Sequence, residues 1–300
     1  MKKKILFLMA LLAVSLLALA EMTVFVYQKD GTKVEYLAAD VDSIGFANVF
    51  TITFDANGGD GSVDALRVKE SESVNLPANI FTKSAFAFTG WNSAADGSGT
   101  AYTDQSTVTP TANMTLYAQW KSTMGIADGH EWVDLGLPSG TKWATCNVGA
   151  DSPEDYGDYF AWGETTAKYS YTSYNYTYSG APTTLPLRSD AANVNWEGDW
   201  RLPTIAEQAE LIRECTWTLG EMNGVNGYTV IGPNGNSIFF PGAGNYQTSN
   251  VEASYGYYWS SSVDMEFSSD AYYIFFNSSF LLVDSGTRYI GRSIRPVLGE

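Results

Sequence analysis

The sequence has little of the chemistry that catalytic sites draw on: 300 residues contain two cysteines and one histidine, His130. A single histidine argues against hydrolytic machinery of the Ser-His type and leaves a catalytic cysteine with one possible base. Basic residues are scarce too, since 17 Lys and Arg stand against 33 Asp and Glu and give a net charge of −16. Such a surface repels phosphate backbones, so the composition excludes nucleic acid as a partner.

Long apolar runs are absent except near the N-terminus, so we expect no transmembrane segment after signal removal. A run from Ile5 to Leu19 follows three lysines and ends at Ala18-Leu19-Ala20, with small residues at the −3 and −1 positions. It is shorter than the roughly 20 residues that a membrane-spanning helix needs. We therefore predict a signal peptide over 1–20, cleaved after Ala20. The protein is expected at the cell surface, associated with the outer membrane, or extracellular. No cysteine follows Ala20, which argues against a lipid anchor there.

The two cysteines, Cys146 and Cys215, form an even pair in a chain that is predicted to meet an oxidising compartment. A Cys146–Cys215 disulfide is the favoured interpretation, and it would stabilise the fold by roughly 4 kcal/mol through loop closure. Two free buried thiols are the alternative. A catalytic thiol is the least favoured, and no catalytic residue is assigned.

Amphipathic helical patterns are also few, whereas glycine and aromatic residues are abundant, which predicts a β-rich α+β chain. Over 21–48, two apolar runs, Val24–Tyr27 and Val34–Leu37, flank the dipeptide Asp30-Gly31. Asp-Gly between two strand-like runs predicts a hairpin. The segment is too short for a core of its own, and it is similar to the short lead-in found on exported proteins of Bacteroides-type bacteria.

Residues 49–120 carry four motifs in a fixed order: TFDANGG, FTGWN, ADGSGT and MTLYAQW. In order and spacing they resemble the Listeria–Bacteroides repeat, also called the internalin B type repeat. The resemblance implies a small β-grasp-like module that acts as a spacer or a protein-contact unit, without enzymatic activity. Residues 121–129 are weakly patterned and are predicted to form a linker.

Residues 130–300 hold most of the tryptophan and tyrosine, enough for an independent core. The segment 200–217 predicts a helix that begins with a capping box, in which Thr204 is the N-cap and Glu207 stands three residues on. The motifs WRLPT, FPGAGN, YWSSS and RSIRPV follow in order. Over 130–298 they resemble the Fibrobacter succinogenes major paralogous domain. That resemblance implies a C-type-lectin-like fold.

This fold class includes calcium-dependent lectins and formylglycine-generating oxidases, and neither chemistry is favoured. The Glu-Pro-Asn and Gln-Pro-Asp loops of calcium-dependent lectins are absent, so no cofactor is predicted and calcium lacks a recognised motif. The acidic stretch with Asp264, Glu266 and Asp270 is more typical of a solvated loop than of a cation site. The oxidases use a close cysteine pair, whereas Cys146 and Cys215 fall on separate elements.

A tyrosine-rich segment is the candidate for ligand contact. Tyr171, Tyr174 and Tyr176 crowd it, and alternation along an extended chain would present tyrosines on one side. Tyrosine rings can stack on sugars or anchor protein partners. The alternative is that these rings cover the core.

The sequence therefore predicts a non-enzymatic, adhesin-like surface or secreted protein whose lectin-like head binds a glycan or a protein ligand. The alternatives are a structural or assembly subunit of a surface appendage and, less favoured, a formylglycine-generating-enzyme-like oxidase.

Overall fold

The structure is a computed structural model that describes residues 23–28, 30–43, 47–180, 182–247 and 255–299. The predicted signal peptide, with its cleavage position at Ala20, lies outside these residues. Strands account for 42% and helices for 8% of the chain, which confirms the β-rich prediction.

The strands up to residue 122 are β1 (Thr23–Tyr27), β2 (Lys33–Leu37), β3 (Val49–Asp55), β4 (Leu66–Lys69), β5 (Val74–Asn75), β6 (Phe86–Asn92), β7 (Ala101–Tyr102), β8 (Thr107–Val108) and β9 (Met114–Ser122). The later strands are β10 (Met124–Ala127), β11 (His130–Asp134), β12 (Lys142–Ala144), β13 (Trp200–Arg201), β14 (Thr216–Met222), β15 (Val225–Ile231), β16 (Ser237–Pro241), β17 (Asn245–Tyr246), β18 (Gly256–Val263), β19 (Asp270–Phe276), β20 (Leu281–Thr287), β21 (Gly291–Arg292) and β22 (Val297–Leu298). The α-helices are α1 (Ala191–Trp196) and α2 (Ile205–Glu214), and short 3-10 turns cover Ala38–Asp40 and Leu187–Ser189.

The chain divides into two compact units, and the division crosses strand β3. The first unit comprises the described residues up to Ile52 together with Ala65–Asn75 and Thr107–Met114. The second comprises Thr53–Asp64, Leu76–Ser106 and the chain from Thr115 onward.

The first unit contains three antiparallel strand pairs. The hairpin predicted from Asp30-Gly31 is confirmed, because β1 pairs with β2 along its full length, from Thr23↔Leu37 to Tyr27↔Lys33. Gly31 adopts a positive φ of 86° in the turn, a conformation that glycine takes without strain. Within the same unit β3 pairs with β4, and β5 pairs with β8.

In the second unit, the repeat motifs surround one buried tryptophan. The ring of Trp91 lies 5.0 Å from Phe54, 5.0 Å from Phe88 and 5.8 Å from Phe81, all in edge-on arrangements. Asn57 takes a left-handed conformation, and its side-chain amide donates to the carbonyl oxygens of Ala95 and Ala118. Residues of all four motifs therefore meet in this part of the unit.

The C-terminal residues of the second unit form several small antiparallel sheets around two apolar clusters. The largest sheet has the order β10-β11-β12-β22-β13, and two three-stranded sheets are β14-β15-β16 and β18-β19-β20. One cluster centres on Trp162, Trp200 and Trp259. The other centres on Trp143 and Phe240, between α2 and the strands β15, β18 and β19.

Helix α2 begins as the capping box predicts. The Thr204 hydroxyl accepts from the backbone N–H of Glu207, and the Glu207 carboxylate accepts from the N–H of Thr204 at 2.7 Å. The helix ends at Glu214, and β14 starts two residues later. The short helix α1 was not predicted from the sequence. Asp190 is its N-cap, and the Asp190 carboxylate accepts from the backbone N–H groups of Ala192 and Asn193.

The segment 121–129, predicted as a linker, is largely strand. It forms the end of β9 and all of β10, and β10 pairs with β11 across a turn at Asp128 and Gly129, both at positive φ. Thr123 joins the two sides: its N–H donates to Ala85, and its carbonyl accepts from Asp134 at 2.7 Å. The boundary itself stays a prediction, but this segment is hydrogen-bonded on both sides.

Candidate functional site: a groove between the β14–β15 hairpin and the β19–β20 turn

A groove of about 620 Å³ lies on the surface of the second unit. One wall is the β14–β15 hairpin, the other is the turn between β19 and β20, and Tyr255 lies at one side. The volume lies within the range of small-molecule sites. The groove is therefore the candidate binding site.

The hairpin wall follows from an Asn-Gly turn. Asn223 and Gly224 both have positive φ, the geometry that a two-residue hairpin loop requires. The register places Glu221 opposite Asn226 and Leu219 opposite Tyr228. Residues two apart share a face, so these four side chains lie on one side of the hairpin.

The opposite wall is a turn that holds its own shape. The Asn277 carboxamide oxygen accepts from the backbone N–H groups of Ser279 and Phe280, both at 2.8 Å. The Asn277 carbonyl accepts from the hydroxyl of Tyr228 at 3.0 Å. Because Tyr228 belongs to β15, this bond ties the two walls together.

The floor is aromatic and the rim is partly exposed. Phe276 is buried, and its ring centroid lies 5.1 Å from that of Tyr228. Leu219 and Phe280 are more than half exposed at the rim, and Tyr255 stacks on Phe275 with centroids 6.2 Å apart. Leu219, Phe280 and Tyr255 therefore expose apolar surface to a ligand, and the buried Phe276 supports them from below.

The polar groups of the groove are free to bind. Among the described residues, no hydrogen bond engages the Asn226 amide, the Asn277 amide nitrogen or the hydroxyls of Ser278 and Ser279, which all line the groove or its rim. Among the lining residues that the structure describes, Glu221 is the only charged one. The groove therefore offers amides, hydroxyls, apolar surface and one negative charge.

The three predicted ligand-binding tyrosines do not share an exposed face, so the expected common exposure of their rings is wrong, while ligand contact itself stays a prediction. Tyr171 is 1% exposed, and its hydroxyl donates to the Tyr159 carbonyl and accepts from the N–H of Lys168. Tyr176 is half-buried, with its hydroxyl donating to the Trp162 carbonyl at 2.8 Å. Tyr174 alone is fully exposed, at 100%. The hydrogen bonds of Tyr171 and Tyr176 hold the tyrosine-rich segment against the domain, as the core-covering alternative proposed.

Electrostatics agree with that assignment. Burial raises the pKa of Tyr171 to about 12 and raises the pKa of Tyr176 further. Around them, the Glu164 carboxylate accepts from the N–H and hydroxyl of Thr177 and pairs with Lys168. The polar groups of Glu164, Thr177 and Lys168 therefore bind one another.

The predicted disulfide is also wrong, because Cys146 and Cys215 are free thiols. Cys215 caps the C-terminal end of α2 and packs against the cluster around Trp143 and Phe240. Cys146 follows β12 and lines a different cavity, with His130 and Trp196. Separate elements place the two sulfurs in separate environments. Burial raises the pKa of the Cys215 thiol to about 11, which keeps it protonated at neutral pH.

The cavity with Cys146 holds the only histidine of the chain. His130 stacks on Trp196 with ring centroids 3.7 Å apart and planes 6° apart. Burial lowers the pKa of His130, against the opposing field of Asp128. This stacked ring is a packing element at the end of the β10–β11 turn.

Three arginines near the C-terminus are buried against aromatic rings, and two of them, Arg292 and Arg295, belong to the motif RSIRPV. Arg288 lies over Trp162, Arg295 lies over Phe240, and Arg292 lies 3.5 Å from the ring centroid of Tyr273 and 4.1 Å from that of Trp259. Burial lowers the pKa of Arg292 to about 10. Sequence patterns gave the motif RSIRPV but not these contacts, of which the one between Arg288 and Trp162 joins residues more than a hundred positions apart.

The acidic stretch around Asp264 forms a turn that is closed by its own hydrogen bonds. Asp264 is buried, and its carboxylate accepts from the backbone N–H groups of Glu266 and Phe267. Across the part of the chain that the structure describes, no three His, Cys, Asp or Glu side chains gather as metal ligands. No helix in the same residues is long and apolar enough to cross a membrane.

Sequence reasoning missed the groove residues, although one signal was present. Asn223-Gly224 between the strand-like runs TWTLGEM and VNGYTVI marks a hairpin. The turn Asn277-Ser278-Ser279-Phe280 between two apolar runs marks a second. Nothing in the sequence indicates that the two turns approach each other.

Comparison with known proteins assigns one part of the chain. Residues 50–119 match the family model of the Listeria-Bacteroides repeat domain. Such repeats are domains of surface or extracellular proteins. No curated protein and no solved structure matches the chain. The repeat predicted from TFDANGG, FTGWN, ADGSGT and MTLYAQW is therefore confirmed.

Proposed function

We propose that the protein is an exported, non-enzymatic binding protein whose C-terminal domain holds a neutral saccharide in the groove between β14–β15 and the β19–β20 turn. The observation that carries this proposal is the pairing of apolar rims with unengaged amides and hydroxyls. The C–H faces of a sugar ring stack on aromatic side chains, while its hydroxyls need donors and acceptors at fixed positions. The rims at Phe280 and Tyr255 and the amides of Asn226 and Asn277 supply both.

The charge of the groove narrows the ligand. Glu221 repels carboxylated or sulfated sugars and leaves neutral ones unaffected. A hydrolase acting on glycosidic bonds would need a pair of carboxyl groups, and the described lining supplies one. These two points favour binding of a neutral sugar over its cleavage.

Export is part of the same proposal. The N-terminal pattern of lysines, apolar run and Ala20 supports a cleaved signal peptide. The Listeria-Bacteroides repeat at 50–119 supports a surface or extracellular setting. In this arrangement the repeat, with a β-grasp-like fold, acts as a spacer or contact unit.

The C-terminal domain supports a C-type-lectin-like fold through its topology. Its first strands, β11 and β12, are hydrogen-bonded in one sheet with β22, close to the end of the domain. Two helices and a long irregular segment between β12 and α1 complete it. The proposed groove needs no calcium.

A neutral-glycan array probed with the purified full chain tests the proposal. We expect binding that is lost in Phe280→Ala and kept in Phe267→Ala. The control is matched, since Phe280 and Phe267 are 60% and 58% exposed and only Phe280 lines the groove. Both variants should keep the melting temperature of the parent. An array without neutral-glycan signals, or signals that survive Phe280→Ala, would contradict the proposal.

A further inference from the structure

The N-terminal hairpin is a two-stranded sheet with no buried residue. None of the residues in β1 or β2 is buried, and Phe25, Tyr27 and Leu37 are 47%, 74% and 51% exposed. An isolated two-stranded hairpin is marginally stable in water, whereas three or more strands with an apolar face are stable. The hairpin therefore exposes apolar side chains that further strands of a larger sheet would cover.

One face of the hairpin is entirely apolar. The register places Val24 opposite Tyr36 and Val26 opposite Val34, and these four side chains share a face. The other face carries Lys33 and Glu35, which pair with each other, and the Lys33 ammonium lies 4.4 Å from the ring centroid of Phe25. Charge is thus confined to one face.

The outer edge of β1 carries unpaired backbone groups. The N–H of Gln28 donates to the Thr32 carbonyl, and hydrogen-bonded pairs alternate along an antiparallel ladder. Val26 and Val24 therefore bond to β2, while the N–H and C=O groups of Thr23, Phe25 and Tyr27 point away from it. Among the described residues, β1 pairs with no strand except β2.

The two edges of the hairpin differ in protection. Charged side chains on an edge strand block pairing with further strands. Strand β2 carries Lys33 and Glu35, whereas β1, with the sequence TVFVY, carries no charge. Further strand pairing is therefore directed to β1.

We propose that β1 pairs antiparallel with β1 of a second copy of this chain, so that two hairpins form one four-stranded sheet. A two-fold axis beside Phe25 places Phe25 opposite its own equivalent and Thr23 opposite Tyr27 of the other copy. About six backbone hydrogen bonds form, and the apolar faces of the two hairpins become continuous. A chain of net charge −16 meets its own copy at an unfavourable electrostatic cost, and the uncharged β1 is a place where that cost is small.

Sedimentation velocity over a range of concentrations tests the pairing, using the full chain purified from the exported fraction of an expressing bacterium. We expect a monomer–dimer equilibrium whose dissociation constant rises at least about tenfold in Phe25→Lys, because two lysines then face each other across the axis. The control is Leu37→Lys, which adds the same charge to β2 at a residue of similar exposure. It should leave the equilibrium unchanged.

Cross-linking gives a second readout that does not depend on affinity. In a background with both native cysteines replaced by serine, Phe25→Cys should form a disulfide-linked dimer on mild oxidation, while Leu37→Cys should not. A chain that stays monomeric at all concentrations overturns the proposal. So does a dimer that is insensitive to Phe25→Lys, equal cross-linking at positions 25 and 37, or assembly only with another protein.

Discussion

Tyr171 is buried and Tyr174, three positions on, is fully exposed. Substitutions at the two positions therefore distinguish a packing role from a surface role. Removing the Tyr171 hydroxyl leaves the buried Tyr159 carbonyl and Lys168 N–H without partners. Tyr171→Phe should therefore lower the free energy of unfolding by about 1–3 kcal/mol. Tyr174→Phe should change it by less than about 0.5 kcal/mol. Urea unfolding of the two variants measures the contrast, and equal effects would contradict these assignments.

Asp190 links folding to pH. Burial raises the pKa of its carboxyl to about 6, although the N–H groups of Leu202, Asn193 and Ala192 favour the charged form. The folded state therefore binds the proton more tightly than the unfolded state. The resulting stability is complete below about pH 4 and is lost as the pH rises through about 6. Relative to Asp190→Asn, the parent should gain about 1 kcal/mol between pH 7 and pH 5. Denaturant titrations at both pH values test this, and a constant difference would refute it.

Arg292 stands between aromatic rings with two of its nitrogens, Nε and one Nη, lacking hydrogen bonds. Filling the space should therefore matter more than keeping the charge. Arg292→Met should cost less than about 1 kcal/mol, whereas Arg292→Ala leaves a cavity and should cost about 3 kcal/mol. Thermal unfolding of the two variants measures the difference in stability. A larger loss of stability in Arg292→Met than in Arg292→Ala would show that the cation itself stabilises the domain.

At the level of elements, local patterns predicted what local physics determines. Asp30-Gly31 set the first hairpin and Thr204 with Glu207 set the start of α2, because each depends on neighbours within a few positions. The groove and the burial of Tyr171 depend on contacts between distant segments. Alternation along an extended chain failed for the tyrosines because residues 166–178 form irregular chain with a turn at 173–175 rather than a strand.

The capping box of α2 gives a prediction at this scale. Thr204→Ala removes the acceptor of the Glu207 N–H and should destabilise the domain by about 1 kcal/mol. Thr218→Ala on β14 is the control, since Thr218 is exposed and lies away from the cap. Circular dichroism during thermal unfolding compares them. An equal loss in both would show that the cap contributes little.

For the whole molecule, the free thiols make stability independent of reductant. Because Cys146 and Cys215 occupy different environments, the melting temperature of the protein should be the same with and without a reducing agent. Thiol labelling of the unfolded chain should modify both cysteines. A lower melting temperature under reduction, or failure to label, would restore the disulfide that the sequence favoured.

The position of β22 has a kinetic consequence. It lies inside the five-stranded sheet, where Val297 pairs with Trp143 on one side and with Arg201 on the other. Arg288, Arg292 and Arg295 reach their aromatic partners from the same stretch of chain. The pairings of β22 with β12 and β13 join segments far apart in sequence and form slowly, because a long loop must close before they stabilise the fold. The five-stranded sheet can therefore close only after this stretch has joined it, so β22 sets the time at which the sheet is completed.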